Sequence, residues 1–265
     1  MASTETQPLL ASQPNDTEEA TAAAAEDTTS SPPPVPETEP LLGRPGDALQ
    51  KDDAPMINNL YLGTGLLAQA GAVLLLVLIW AGVFVHPTLP LVTPHPLLQS
   101  LGVFTLTQAI LILQPTNTPT AKLLGARAHA ALHLLSFLLF TAGISIIETN
   151  KQVNHGDHFH SVHGYLGAAT GIVLLLQYLF GFLMWAVPAV FGGVERAKAS
   201  WRYHRYAGYV VLLLVLATVI TATDTDYNKG VLKIKTWSVA VAVVLIVAGV
   251  FPRIQLAKLG IQRAR

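Results

Sequence analysis

The sequence contains no cysteine, and charged residues make up only 12% of its 265 positions. Without thiols there is no disulfide framework, no cysteine-ligated zinc or iron–sulfur cluster and no thiol nucleophile. Nine histidines are left as the principal metal-ligating side chains. An average soluble domain carries about 25% charged residues, so roughly half the usual charge is missing. With 51% hydrophobic residues and a mean hydropathy of +0.47, the balance speaks against an ordinary soluble enzyme. Basic and acidic residues number 16 each, so there is no basic excess to address nucleic acid.

That equality is a cancellation. Residues 1 to 55 hold eleven acids against Arg44 and Lys51, a net charge of −9, and the remaining chain carries +9. The first stretch has nine prolines, the runs Ala22–Ala25 and Pro32–Pro34, and no aromatic residue. It cannot bury enough apolar surface to offset chain entropy, so residues 1–55 are expected to be a disordered acidic tail. No basic segment followed by an apolar run is present in it, so it does not read as a secretory signal.

From Tyr61 onward the chain is a series of apolar blocks, roughly Tyr61–Val85, Leu91–Leu113, Leu123–Ile147, Val162–Val187, Trp201–Thr223 and Trp237–Phe251. A helix of about 20 residues crosses the hydrocarbon of a bilayer, and only helices or closed barrels satisfy their backbone there. The expected fold class is therefore an all-α membrane protein, a six-helix domain over residues 56–255 followed by a short basic C-terminus, 256–265. The Gly63-Thr64-Gly65 run fits a dinucleotide fingerprint on paper, but it falls within the first apolar block with no strand before it. If the tail is cytosolic, ten Lys and Arg fall on its side of the membrane, among them Lys122, Arg127, Arg196, Arg202 and Arg205. Four fall opposite: Lys151, Lys229, Lys233 and Lys235. Short cytosolic loops accumulate positive charge, which predicts both termini inside.

Ionisable residues within spans mark bundle interiors and functional sites. Four of the histidines occur one per helix in four consecutive blocks: His95, His129, His163 and His204. Because neighbouring helices run in opposite directions, His95 and His163 fall near the outer face, and His129 and His204 near the inner. Any single imidazole at a helix end is explained as a satisfied polar group. An ordered set of four in two levels is better explained by two facing imidazoles at each level, the arrangement that holds a haem by both axial positions. His133 stands one helical turn from His129, so the spacing admits either as the ligand, or both as a metal pair.

The stretches His95-Pro96-Leu97-Leu98, Lys122 through His129-Ala130-Ala131-Leu132-His133, Ser161-Val162-His163-Gly164-Tyr165-Leu166-Gly167 and Tyr203-His204-Arg205-Tyr206-Ala207-Gly208-Tyr209 resemble the cytochrome b561 family in order and spacing. The resemblance covers about residues 60 to 255. It implies two haem b groups held by helices 2 to 5, with His129 rather than His133 as the helix 3 ligand and His95, His163 and His204 as the others. It also implies a homodimer, and electron transfer from a cytosolic donor such as ascorbate to ferric ion or monodehydroascorbate across the membrane. Lys122, Arg127, Arg196 and Arg202 are the candidates to attract an anionic donor. His155, His158 and His160, with Asp157 in the same outer loop, are the candidates to receive a ferric or cupric ion. The alternative is a His-lined transporter of metal ions or protons without haem. Finally, Glu5-Thr6-Gln7-Pro8-Leu9-Leu10 and Glu37-Thr38-Glu39-Pro40-Leu41-Leu42 resemble dileucine signals read by sorting adaptors. They favour a vacuolar or endolysosomal membrane over the plasma membrane.

Overall fold

The computed structural model describes residues 48–87 and 89–260. Most of the expected tail, both dileucine-type motifs and the last five residues lie outside the described residues. Six helices follow one another: α1 Gly65–Phe84, α2 Pro94–Leu113, α3 Pro119–Val153, α4 Val162–Ala186, α5 Val194–Ala222 and α6 Thr236–Val250. All six are long and apolar enough to cross a membrane, the last counted through Arg253. They alternate in direction. One end of the bundle, here the terminal end, carries the start of α1 and the finish of α6; the other is the far end.

Local chemistry sets the helix limits. Pro94 and Pro119 stand at first-turn positions, where a missing N–H costs nothing. The Thr118 and Ser161 hydroxyls accept from Ala121 N (3.2 Å) and Gly164 N (3.1 Å) at the starts of α3 and α4. Gly192 and Gly193, at φ 80° and 110°, make the reversal between α4 and α5. The Gly63–Ala68 run straddles the start of α1 rather than lying inside it, with Gly63 at φ 56°.

Two helices exceed the apolar blocks. α3 runs from 119 to 153 because Lys122, Arg127, Thr149 and Lys151 continue the helix at either end of its apolar stretch. α5 starts seven residues before Trp201. Glu195 in its first turn complements the helix dipole, and Lys198 Nζ lies 2.9 Å from Glu195 Oε1.

The helices pack chiefly as neighbouring pairs, α2 on α3 and α4 on α5, while α1 lies along α6. A methyl group on Gly71 would strike the Ala242 carbonyl, and one on Gly249 would strike Ala68, so small residues let α1 and α6 approach closely. Between α3 and α4 contact is sparse. Outward-facing side chains such as Leu134, Phe182 and Trp237, the last 70% exposed, are accounted for by lipid.

At the terminal end, cations meet the closing carbonyls of α2. Arg253, 1% exposed, donates from Nη2 to Asn59 O (2.6 Å) and Leu111 O (3.1 Å). Lys258 Nζ donates to Gln114 O (2.8 Å) and Thr116 O (2.6 Å). Positive charge suits the negative end of a helix dipole, and the unpaired carbonyls there need donors. The packed structure also begins before residue 55: Gln50 N donates to Pro115 O at 2.9 Å, and Asn59 Nδ2 donates to Gln50 Oε1 at 3.0 Å.

Candidate functional site

Four imidazoles from four helices meet in two pairs across the sparsely packed seam. At the far end His95 of α2 faces His163 of α4, with ring centres 6.2 Å apart and planes at 78°. At the terminal end His129 of α3 faces His204 of α5, with centres 6.5 Å apart and planes at 82°. The pairing crosses the helix pairs: each of α2/α3 and α4/α5 contributes one ring to each level.

The outer hydrogen bonds of these rings define their chemistry. His95 Nδ1 donates to Gly143 O (2.9 Å), His129 Nδ1 to Ala109 O (2.8 Å) and His163 Nδ1 to Thr218 O (3.0 Å). A carbonyl only accepts, so each Nδ1 carries the proton and each neutral ring keeps the Nε2 lone pair. This is the ring state of a metal-binding histidine with a backbone second partner. His204 differs, since its Nδ1 lies 3.0 Å from the Gln177 side-chain amide.

A metal bonded to two imidazole nitrogens at about 2 Å each sets the ring centres roughly 6.3 Å apart, and both pairs match that separation. The face of α4 that starts at His163 continues through Gly167 and Gly171. Methyl groups there would make only ordinary contacts, 3.8 Å from Thr218 and 3.5 Å from Ile144. The protein's own packing does not require glycine at these places, which leaves room for a flat macrocycle beside His163. The donor pairs fit a haem at each level, and the open face of α4 adds to the fit at the far end. His129 bonds Ala109, fourteen residues along α2 from His95, so about 21 Å of helix rise separates the levels.

His133 stands apart from both pairs. Its ring centre lies 4.2 Å from that of His129 and 5.5 Å from that of Tyr178, and its buried Nδ1 has no hydrogen-bond partner among the described residues. Tyr178 OH in turn lies 3.2 Å from Ser136 Oγ, which donates to Gly102 O. This polar and aromatic group sits between the levels.

Lys122, Arg127, Arg196 and Arg202 are all exposed at the terminal end. Arg205 and Lys258 lie there as well, joined by a bond from Arg205 Nη1 to Lys258 O at 2.6 Å. Burial, reinforced by Arg205 and Lys122, lowers the Lys258 ammonium to about 7. Among the described residues, the Lys198–Glu195 contact is the ion pair at this end.

At the far end the three loop imidazoles do not converge. His158 Nδ1 lies 3.1 Å from Glu148 Oε2, and Lys151 Nζ lies 3.5 Å from Glu148 Oε1. His160 Nδ1 donates to Asp157 O (2.9 Å), and His155 is exposed at φ 50°. Among the described residues no three His, Asp or Glu side chains form a metal-binding group. Ten residues separate Glu148 from His158, and only the loop's return over α3 joins them.

The sequence profile of eukaryotic cytochrome b561 matches residues 94–228, which hold all four histidines. The chain belongs to the cytochrome b561 family. It is 27% identical over 172 residues to the lysosomal membrane ascorbate-dependent ferrireductase of Homo sapiens, covering 62% of this chain and 70% of that one. It is 30% identical over 128 residues to the probable ascorbate-specific transmembrane electron transporter 2 of Oryza sativa subsp. japonica, covering 47% and 52%. It is 27% identical over 161 residues to the ascorbate-specific transmembrane electron transporter 2 of Zea mays, covering 57% and 66%. The chain thus spans about half the length of some curated relatives and more of others. As a cytochrome b561 it is a multi-pass membrane protein of a haem b family.

Proposed function

We propose that this cytochrome b561 carries single electrons across a membrane with two haem b groups, one held by His129 and His204 and the other by His95 and His163. The observation that carries the reading is the two pairs of facing imidazoles at 6.2 and 6.5 Å. A haem held by two imidazoles supplies a one-electron iron couple with both axial positions filled, which suits electron transfer over oxygen binding.

The chain's own residues then have distinct tasks. Backbone carbonyls and Gln177 orient the rings, and the apolar bundle keeps water and competing reactions away. The positive bias of the terminal end supports both termini in the cytosol. There Lys122, Arg127, Arg196 and Arg202, with Arg205 and Lys258, draw an anionic donor of the ascorbate type. At the opposite face Glu148 and His158, flanked by His155 and His160, receive ferric ion; monodehydroascorbate is the alternative acceptor.

The ascorbate-dependent names of the relatives support this assignment over a haem-free transporter of metal ions or protons. The acidic segment 1–55, its two dileucine-type motifs read by a sorting adaptor, and the lysosomal name of the human relative support a vacuolar or endolysosomal membrane. Residues 256–265 form the cytosolic C-terminus, and the working unit is a homodimer.

Vesicles with ascorbate trapped on the cytosolic-face side and a ferric chelate outside test the activity. External ferrous iron should accumulate with wild-type protein and not with His129→Ala. Equal accumulation with empty vesicles overturns the reading.

A further inference from the structure

The four imidazoles share one construction. Fourteen positions after each histidine, its helix supplies the group that holds the ring of the adjacent antiparallel helix. Ala109 follows His95, Gly143 follows His129, Gln177 follows His163 and Thr218 follows His204. Within α2/α3 and within α4/α5 each histidine is thus clamped by its partner helix, reciprocally. Three of the four holding groups are main-chain carbonyls, which no side-chain substitution removes.

The exception is His204. Its Nδ1 lies 3.0 Å from Gln177 Nε2, which also donates to the His204 carbonyl at 2.8 Å. One turn along the same face of α4, Gly181 leaves room for the adjoining edge of the ring: a Cβ there would lie 2.8 Å from His204 Cε1, the carbon between the two ring nitrogens. Gln177 and Gly181 therefore seat the ring along its Nδ1–Cε1 side. A partner on the non-ligating nitrogen of a histidine sets the basicity of the ligating one, and through it the potential of the bound metal.

We infer that Gln177 is a positioning residue that sets the redox potential of the terminal-end centre separately from the far-end centre, with Gly181 seating the His204 ring against it. The inference rests on the two-haem reading above. The amide nitrogen is a donor, so it meets Nδ1 with an N–H and draws electron density from the ring. An anionic oxygen in its place accepts from an Nδ1–H instead, makes Nε2 a stronger donor and lowers the potential; an apolar side chain of similar size removes the withdrawing N–H and lowers it less.

The test is a potentiometric titration of the purified holoprotein followed in its visible spectrum, with electron paramagnetic resonance of the oxidised form. Gln177→Glu should move one midpoint down and Gln177→Leu the same midpoint down by less, with the other midpoint unmoved and haem content retained. The moving component should be the one missing from His129→Ala. Gly181→Ala, which displaces the ring, should change the resonance signal of that same component alone. A purely structural role for Gln177 predicts equal shifts in the two variants or movement of both midpoints, and either result overturns the inference. Unmoved midpoints in haem-replete Gln177 variants overturn it equally while leaving the two-haem reading intact. Wild-type protein that binds no haem overturns both.

Discussion

At the scale of single residues, function depends on which ring nitrogen carries the proton. Carbonyl acceptors at Gly143, Ala109 and Thr218 leave three lone pairs facing the seam; an imidazole in the other tautomer could not ligate there. Lys258 adds a charge that depends on pH. Held near 7 by burial, its ammonium is charged in mildly acidic solution and neutral above, so the terminal end attracts an anionic donor less as pH rises through that value. The KM for ascorbate should rise between about pH 6 and about pH 8, and Lys258→Arg, charged throughout, should flatten that rise. Steady-state kinetics with the wild type and the variant check it; an identical pH profile in both removes Lys258 from donor attraction. At the far end, Glu148→Gln should raise the KM for ferric ion several-fold with little change in kcat, because the carboxylate attracts the cation without touching the haem ligands. Unchanged ferric kinetics in that variant would place the acceptor elsewhere.

At the scale of helices, two kinds of glycine are distinguishable. Gly249 meets Ala68 so closely that α1 and α6 cannot pack with a side chain there. Gly249→Ala is expected to cost about 1–3 kcal/mol, the usual penalty for overpacking, seen as a lower melting temperature in detergent. Gly167 meets nothing of the kind. Gly167→Ala should leave the melting temperature of the haem-free protein unchanged and lower its haem content, a split measured by thermal unfolding and pyridine haemochrome assay.

The helices themselves were legible in the sequence because hydrocarbon length and apolar composition leave few alternatives. Their ends were less so: Glu195 and Lys198 extend α5 by an ion pair and a favourable dipole contact, which an apolar block does not reveal. The histidine pairs were legible from topology, one per antiparallel helix at matching depth. Spacing alone did not separate His129 from His133; the distinction lies in the Ala109 carbonyl, available to one and not the other. Gln177 was invisible for a related reason, since its partner lies 27 positions away and glutamine in a span carries no signature of its own. The three-imidazole loop was legible as composition only, because positive φ at His155 and Phe159 turns the chain so that its rings part.

At the scale of the whole molecule, the chain divides its charge along the membrane normal. Cations gather on the closing carbonyls of α2 and around His129 and His204, while Glu148, Asp157, Asp224 and Asp226 fall at the far end beside Lys151, Lys229, Lys233 and Lys235. On the proposed reading that polarity puts the termini in the cytosol and cations at the donor mouth. Between the mouths about 21 Å of packed helix separates the two imidazole levels, too far for one centre to serve both faces. The central claim is therefore that there are two centres, each held by a pair of histidines from different helices. The most direct measurement is haem per chain in purified protein, from the reduced visible spectrum, for the wild type and for single His95→Ala, His129→Ala, His163→Ala and His204→Ala variants. The account predicts a b-type spectrum with two haems per chain, falling to one in each variant. Full haem content retained in all four variants, or a colourless wild-type protein, contradicts it.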